Sequence, residues 1–360
     1  MKILHVVGAR PNFMKVAPII REMTRYPDTF EQFLVHTGQH YDELMSQVFF
    51  ADLDLPHPDL NLEVGSGTHT WQTAEVMRRF EPVVLDYKPD WVVVVGDVNS
   101  TLACTLVCSK IGIPVAHVEA GLRSFDRSMP EEINRLLTDQ VADLLFTPSL
   151  DGDQNLKREG VATDKIHFVG NVMIDTLVRL MPRAEGSWDK LRDRLGLQNY
   201  VLVTIHRPSN VDDANTLGEI MSALSDVSEE IQVFFPLHPR TKLRIDECGL
   251  EINAENLHLM DPCSYLDFLA LQMNADLVIT DSGGVQEETT YLGVPCLTVR
   301  PNTERPVTIT SGTNRLVEST QQALVDAIST RLRERDVTRS VPPLWDGHAS
   351  ERVVRVFKEI

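Results

Sequence analysis

Carboxylates stand where apolar runs end. Asp97 follows Trp91–Val95 and a glycine, Glu119 closes His117-Val118, and Glu131 lies just inside a helix opening at Met129-Pro130. Three acids grouped at strand and helix ends suggest proton transfer, with pKa values pushed apart by burial and mutual repulsion. Arg135 is four residues beyond Glu131 and shares its helical face, although that pair in isolation reads as a surface ion pair. A second chemistry is written into Leu277–Arg300. The run Leu277–Thr280 breaks at Asp281-Ser282-Gly283-Gly284 and resumes as a helical stretch carrying Glu287 and Glu288. Gly283 and Gly284 lack the Cβ atoms that would hold an anion off the backbone, and the helix start offers free N–H groups and a positive dipole end. Glu288 lies about one turn inside, where a carboxylate can accept hydrogen bonds from two ribose hydroxyls. Ser-Gly-Gly alone would be a plain capped turn. The cations Arg10, Lys15, Arg123, Arg135, His206, Arg207 and Arg305 suit a diphosphate, and the whole set favours a phosphate-bearing ligand.

Such residues need a scaffold that gathers strand ends. Residues 2–7, Glu31–His36, Trp91–Val95, the run ending at His117-Val118-Glu119, and Leu144–Thr147 read as strands, the last closing the first domain. Helical patterns separate them, from Phe13 to Met23, from Gln72 to Phe80 and from Ser100. Unbroken apolar runs between helices predict a parallel sheet covered on both faces. The pattern changes near Gly170-Asn171, where a helix and a charged connector, Arg179 to Arg194, precede a fresh series of strands at Tyr200–Ile205, Gln232–Pro236 and Leu277–Thr280. The expected organisation is α/β, with two Rossmann-like doubly wound domains facing a central cleft: residues 1–170, residues 171–345, and a terminal helix at 346–360 packing back on the first domain. Ligands in such sheets bind outside the carboxyl ends of the strands.

The chain has 360 residues and a net charge of −18, which argues against nucleic-acid or membrane-surface partners. No window is long enough to span a bilayer, and the run Lys2–Val7 is too short to resemble a signal peptide. Five scattered cysteines suggest neither a disulfide framework nor a zinc site, and a cytoplasmic protein is expected. Cys104 and Cys108 read as a buried helix face. Gly8-Ala9-Arg10-Pro11 supplies one glycine where a dinucleotide fingerprint needs three, so no redox cofactor is expected.

In sequence order, Gly8-Ala9-Arg10-Pro11, Gly38-Gln39-His40, Gly96-Asp97, His117-Val118-Glu119-Ala120-Gly121-Leu122-Arg123, Pro130-Glu131-Glu132-Ile133-Asn134-Arg135, His206-Arg207 and Asp281 to Glu288 resemble the non-hydrolysing UDP-N-acetylglucosamine 2-epimerases over nearly the whole chain. The resemblance implies the glycosyltransferase-B architecture and reversible conversion of UDP-N-acetylglucosamine to UDP-N-acetylmannosamine. The implied route removes the C2 proton as UDP leaves C1, giving a glycal, and re-adds UDP after reprotonation on the other face. By resemblance Asp97, Glu119, Glu131, Arg135 and His206 are catalytic. Arg10, Ser282, Gly283, Gly284, Glu288 and Arg305 bind UDP, joined by Lys15 from its place at a helix start. No cofactor or metal is implied, a UDP-sugar is the expected partner, and a homodimer is expected. Which carboxylate is base and which is acid stays open.

Gln39, Arg207 and His238 match a pocket where, in some members, the substrate activates the enzyme. Here Trp71 stands in place of an arginine and Asp42 in place of a glutamine, and Pro208-Ser209 replaces Arg-Glu after His206-Arg207. The changes at 71 and 42 remove donors for a phosphate-bearing ligand, so activation is not expected. The competing readings are a hydrolysing 2-epimerase, an epimerase of a UDP-diacetamido-uronic acid, a glycosyltransferase of the same architecture, and a non-catalytic nucleotide-sugar sensor. The glycosyltransferase would share the nucleotide site but leave two of the three acids unexplained.

Overall fold

Valine-rich runs become the centre of two parallel sheets. The structure is a computed structural model describing residues 1–38, 56–250, 254–334 and 340–360. It divides into two compact units, Met1–Arg179 with Pro343–Ile360, and Leu180–Pro342.

In the first unit the strands are β1 (Lys2–Val7), β2 (Glu31–His36), β3 (Leu60–Asn61), β4 (Trp91–Val95), β5 (Val115–Val118), β6 (Leu144–Thr147) and β7 (Ile166–Phe168). They lie in the order β3-β2-β1-β4-β5-β6-β7, and every pairing is parallel. The strand order reverses between β1 and β4, an arrangement that puts connecting helices on both faces. Val92, Val93 and Val94 are wholly inaccessible, as a strand covered on both faces requires. β6 is not the last strand of this unit. β7 follows it, and its half-buried Ile-His-Phe edge lacks the apolar run that marks an inner strand.

The final helix, Ala349–Glu359, completes this unit. Phe357 packs edge-on to Trp91, ring centroids 5.7 Å apart, and against Phe146 at 5.8 Å. The Trp345 indole donates to Pro148 O at 2.8 Å. Asp175 accepts the N–H groups of Ala349 and Ser350 at the helix start, at 3.0 and 2.7 Å. A carboxylate there meets free donors and the positive dipole end together.

The second sheet holds β8 (Tyr200–Thr204), β9 (Gln232–Pro236), β10 (Leu257–Met260), β11 (Leu277–Thr280), β12 (Cys296–Val299) and β13 (Asn314–Val317), in the order β10-β9-β8-β11-β12-β13, all parallel. Leu277–Thr280 is thus preceded by an edge strand, β10, whose last three residues are only half buried. The segment Arg179–Arg194 is no connector. It belongs to one helix, Val172–Leu195, whose buried Leu180, Ala184 and Leu191 recur at helical spacing beneath a charged face. The division between the units falls inside this helix, beyond Gly170-Asn171. Among the described residues no helix is long and apolar enough to cross a membrane.

Candidate active site

In the first sheet the strand order reverses between β1 and β4, the place where ligands of open α/β sheets bind. Asn12 ties the two turns together. Its Oδ1 accepts from the Gly8 and Ala9 amides at 3.1 and 3.0 Å, and its Nδ2 donates to Val95 O at 3.0 Å. Arg10 is the first residue of the helix Arg10–Thr24, directly after the β1 turn. From one turn further on, Lys15 reaches over Gly96. That glycine has φ +68°, and a Cβ there would stand 2.9 Å from Lys15 Nζ, so both backbone and contact exclude larger residues.

Lys15, expected beside a phosphate, forms a 2.6 Å ion pair with Glu119, and both side chains are almost fully buried. Glu119 has φ +74°, a left-handed backbone that costs on the order of 1 kcal/mol outside glycine. Its N–H and that of Ala120 both donate to Phe146 O, bending the chain off β5 toward the helix starts. Asp97 accepts from Arg135 Nη2, and Arg135 Nη1 donates to Glu132 Oε2 at 2.6 Å. The face expected for Glu131 and Arg135 is therefore used differently. Arg135 spans Glu132 and Asp97, while Glu131 is half-buried beside them. Glu132 is buried because it also accepts from the Ser124 N–H, the Ser124 hydroxyl and the Phe125 N–H, fixing the turn before its own helix. Arg123, counted with the cations, is locked between Asp139 and Glu159.

In the second sheet the reversal lies between β8 and β11, and the corresponding turns carry His206-Arg207 and Asp281-Ser282. Asp281 is wholly buried and accepts the amides of His206 and Arg207 at 3.0 and 2.8 Å, and Asn210 Nδ2 at 3.0 Å. His206 Nδ1 lies 3.2 Å from its other oxygen. Ser282, Gly283 and Gly284 are half-buried, and no side chain caps the helix Gly283–Leu292, whose first amides stay available. Arg305 lies against this turn, its Nη1 2.4 Å from where a Gly283 Cβ would stand. Its Nε is 2.8 Å from Glu287, and Nη1 also bonds Glu304.

Glu288 is one turn inside the same helix and accepts from the Tyr265 hydroxyl at 2.7 Å. Burial pushes its carboxyl up to about 7, against the opposing Tyr265 hydrogen bond. Burial likewise pushes Tyr265 well above its ordinary range, so the phenol is a donor only. Arg207 reaches Glu304 at 3.8 Å, and His238 caps the helix Pro239–Cys248 by accepting the Arg240 amide at 3.2 Å. Trp71 is 46 % exposed on the helix His69–Tyr87. Gln39 and Asp42 lie outside the described residues. Among the described residues no cluster of three or more His, Cys, Asp or Glu could hold a metal ion.

The family model described as UDP-N-acetylglucosamine 2-epimerase matches residues 21–358. The chain belongs to that family. It is 41% identical over 364 residues to the UDP-N-acetylglucosamine 2-epimerase of Methanococcus maripaludis, with 99% of this chain and 98% of the relative covered. It is 42% identical over 366 residues to the UDP-2,3-diacetamido-2,3-dideoxy-D-glucuronate 2-epimerase of Pseudomonas aeruginosa, with 100% of each covered. The crystal structure of Methanocaldococcus jannaschii UDP-GlcNAc 2-epimerase in complex with UDP-GlcNAc and UDP superposes with a TM-score of 0.92, at 42% identity and full coverage of both chains.

For this UDP-N-acetylglucosamine 2-epimerase family chain, sequence reading missed several residues that hold the expected ones. Glu132 stands next to Glu131 in the chain, but the four-residue spacing draws attention to Glu131 and Arg135 instead. Asp281 was visible as the residue ending a strand. Its service to His206 depends on β8 and β11 being neighbours, where Thr204 pairs with Thr280. Tyr265 carries no local signal, since it meets Glu288 across 23 positions of chain.

Proposed function

We propose that this chain interconverts UDP-N-acetylglucosamine and UDP-N-acetylmannosamine by elimination and re-addition of UDP. The observation that carries this reading is the pair of preset carboxylates at the first sheet's reversal, Asp97 held by Arg135 and Glu119 held by Lys15. The C2 proton lies next to no carbonyl and is barely acidic, so a base must take it as the C1–O bond breaks. The bond's electrons leave on the β-phosphate oxygen, a C1=C2 double bond forms, and the glycal is reprotonated from the other face before UDP returns. Two faces call for more than one acid–base group, and Glu131 stands close in sequence to the same Arg135.

In the second unit, the Ser282–Gly284 amides and Arg305 are suited to the departing phosphate charge. Glu288 is suited to the ribose. His206, its backbone amide held by Asp281, is assigned to catalysis on the strength of the family motif.

Product formed in heavy water should carry deuterium at C2. Retained C2 hydrogen in the epimerised product would end this mechanism. The anomeric protons, followed by NMR, separate UDP-N-acetylmannosamine from the free sugar plus UDP of a hydrolysing enzyme. A UDP-diacetamido-uronic acid is the second reading, supported by the Pseudomonas aeruginosa relative at 42% identity. Both sugars belong in the same assay.

A further inference from the structure

The Ser282–Gly284 amides and Arg305 lie on separate segments, with a helix and β12 between them in the chain. Their spacing must be fixed by something other than sequence neighbourhood. The two segments touch, since a Cβ on Gly283 would stand 2.9 Å from Glu304 Oε1. Between them runs a chain of buried polar side chains that the proposed chemistry does not use. Gln286, one turn inside the helix Gly283–Leu292, is wholly inaccessible. Its Nε2 donates to Ser282 O at 3.2 Å, which its own backbone N–H reaches only at 3.4 Å. Its Oε1 accepts from the Thr303 hydroxyl at 2.7 Å and from Asn314 Nδ2 at 3.2 Å. The Thr303 oxygen accepts the Arg305 backbone N–H at 3.1 Å. Asn314 Nδ2 also donates to the Thr308 hydroxyl at 3.1 Å, and that hydroxyl donates to Arg305 O at 2.8 Å. Arg305 is thus held at both its amide and its carbonyl.

Donor and acceptor chemistry allows this chain one polarity. Ser282 O and Arg305 O can only accept, and the Arg305 N–H can only donate. Ser282 O therefore takes the NH2 of Gln286, which turns Oε1 toward Thr303 and Asn314. Thr303 must then donate to Gln286, leaving a lone pair for the Arg305 N–H. Asn314 must present its NH2, and its Oδ1 accepts from Thr298 on β12 at 2.7 Å. Every bond agrees with the next, and a buried network satisfied in this way is rigid. We propose that Gln286, acting through Thr303, is a positioning residue that sets the distance between the Ser282–Gly284 amides and the Arg305 guanidinium, so that both meet the diphosphate together. The adjacent Glu287 completes the link by holding Arg305 Nε at 2.8 Å. One helical turn thereby holds the backbone of Arg305 through Gln286 and its side chain through Glu287.

This role rests on the UDP-binding part of the epimerase reading, and the test keeps the two apart by comparing UDP with uridine on the full chain. The ratio of their association constants, from calorimetry or NMR titration, reports the phosphate contribution alone. Thr303 is half-buried, and Thr303→Val keeps its shape while removing the hydroxyl. In that variant the ratio should fall about tenfold, the scale of one lost hydrogen bond to a charged group, with uridine affinity within about twofold of wild type. Thr303→Ser, which restores the hydroxyl, should recover the ratio. Gln286→Met should lower it by a similar factor, and the double variant should lose no more than either single one, because both act through one link. An unchanged ratio in a folded Thr303→Val, or equal losses of UDP and uridine, overturns the positioning role. Additive losses in the double variant overturn the route through Gln286. A wild-type chain that binds UDP no more tightly than uridine would instead overturn the nucleotide-site reading, and this inference with it.

Discussion

Glu288 offers the sharpest test of the proposed nucleotide site, because a group that accepts two ribose hydroxyls best is a carboxylate, while its surroundings resist ionisation. Its carboxyl is pushed from 4.5 to about 7, and each pKa unit corresponds to about 1.36 kcal/mol, so ionisation in the folded chain costs about 3 kcal/mol more than in water. At pH 8 about nine-tenths of the folded molecules hold the carboxylate and at pH 6 about one-tenth, so the share able to accept both hydroxyls falls about tenfold. UDP affinity should fall by that factor beyond any change from the ligand's own phosphate. Glu288→Gln removes the titration and leaves the ligand's, so the ratio of wild-type to variant association constants, measured by calorimetry at both values, isolates the effect. The ratio should drop about tenfold from pH 8 to pH 6. Stability moves in the opposite sense. A raised carboxyl pKa contributes stability that is fully present below pH 4.5 and lost as pH rises through 7. Relative to wild type, Glu288→Gln should therefore be up to about 3 kcal/mol more stable at pH 8 than at pH 4.5. A constant affinity ratio, with no pH-dependent stability difference, would refute the assignment of a protonated, buried Glu288.

Further outcomes follow from other parts of the structure. Asp97→Asn should leave UDP affinity within about threefold of wild type and lower kcat by at least ~10²-fold, measured with UDP-N-acetylglucosamine as substrate. Equal loss of UDP binding in Asp97→Asn and Glu288→Gln would refute the separation of chemistry from nucleotide binding. Progress curves starting from UDP-N-acetylmannosamine should begin without a lag, given Trp71 and Asp42; a lag abolished by a trace of UDP-N-acetylglucosamine would contradict this. Phe357→Ala should destabilise the first unit by about 3–5 kcal/mol, as truncation of a buried aromatic does. Hydrogen exchange should then rise in β4 and β6, which Phe357 covers, and protection equal to wild type would show the contact to be dispensable.

Inner strands were legible in the sequence because burial on both faces leaves no room for polar residues. Val92–Val95 and Leu277–Thr280 carry that mark. Edges were not, since β7 and β10 are half-solvated and show neither a continuous nor an alternating pattern. The helix Val172–Leu195 was half missed for a related reason. Its second part buries a narrow stripe, and the many charges between its apolar residues read as linker. In the site, residues at strand ends could be named from the chain alone, because each follows an apolar run. Their partners could not. Lys15 meets Glu119, Glu132 and Asp97 share Arg135, and Tyr265 meets Glu288, each through side-chain directions or long-range packing that local spacing does not encode.

The last helix belongs to the first sheet, and this has a consequence for how the protein is born. A ribosome finishes β4 and β6 early, yet Phe357, which covers Trp91 and Phe146, emerges only after the whole second unit. Between Arg179 and Pro343 the whole second unit must be translated, on the order of 10–30 s at ~5–20 residues per second. Throughout that interval the nascent first unit exposes an aromatic patch and leaves Asp175 without the amides of Ala349 and Ser350. The second unit, contiguous in sequence, can close on itself in the meantime. The unit begun before the other is thus completed after it, and during synthesis it is the one that chaperones would have most reason to hold.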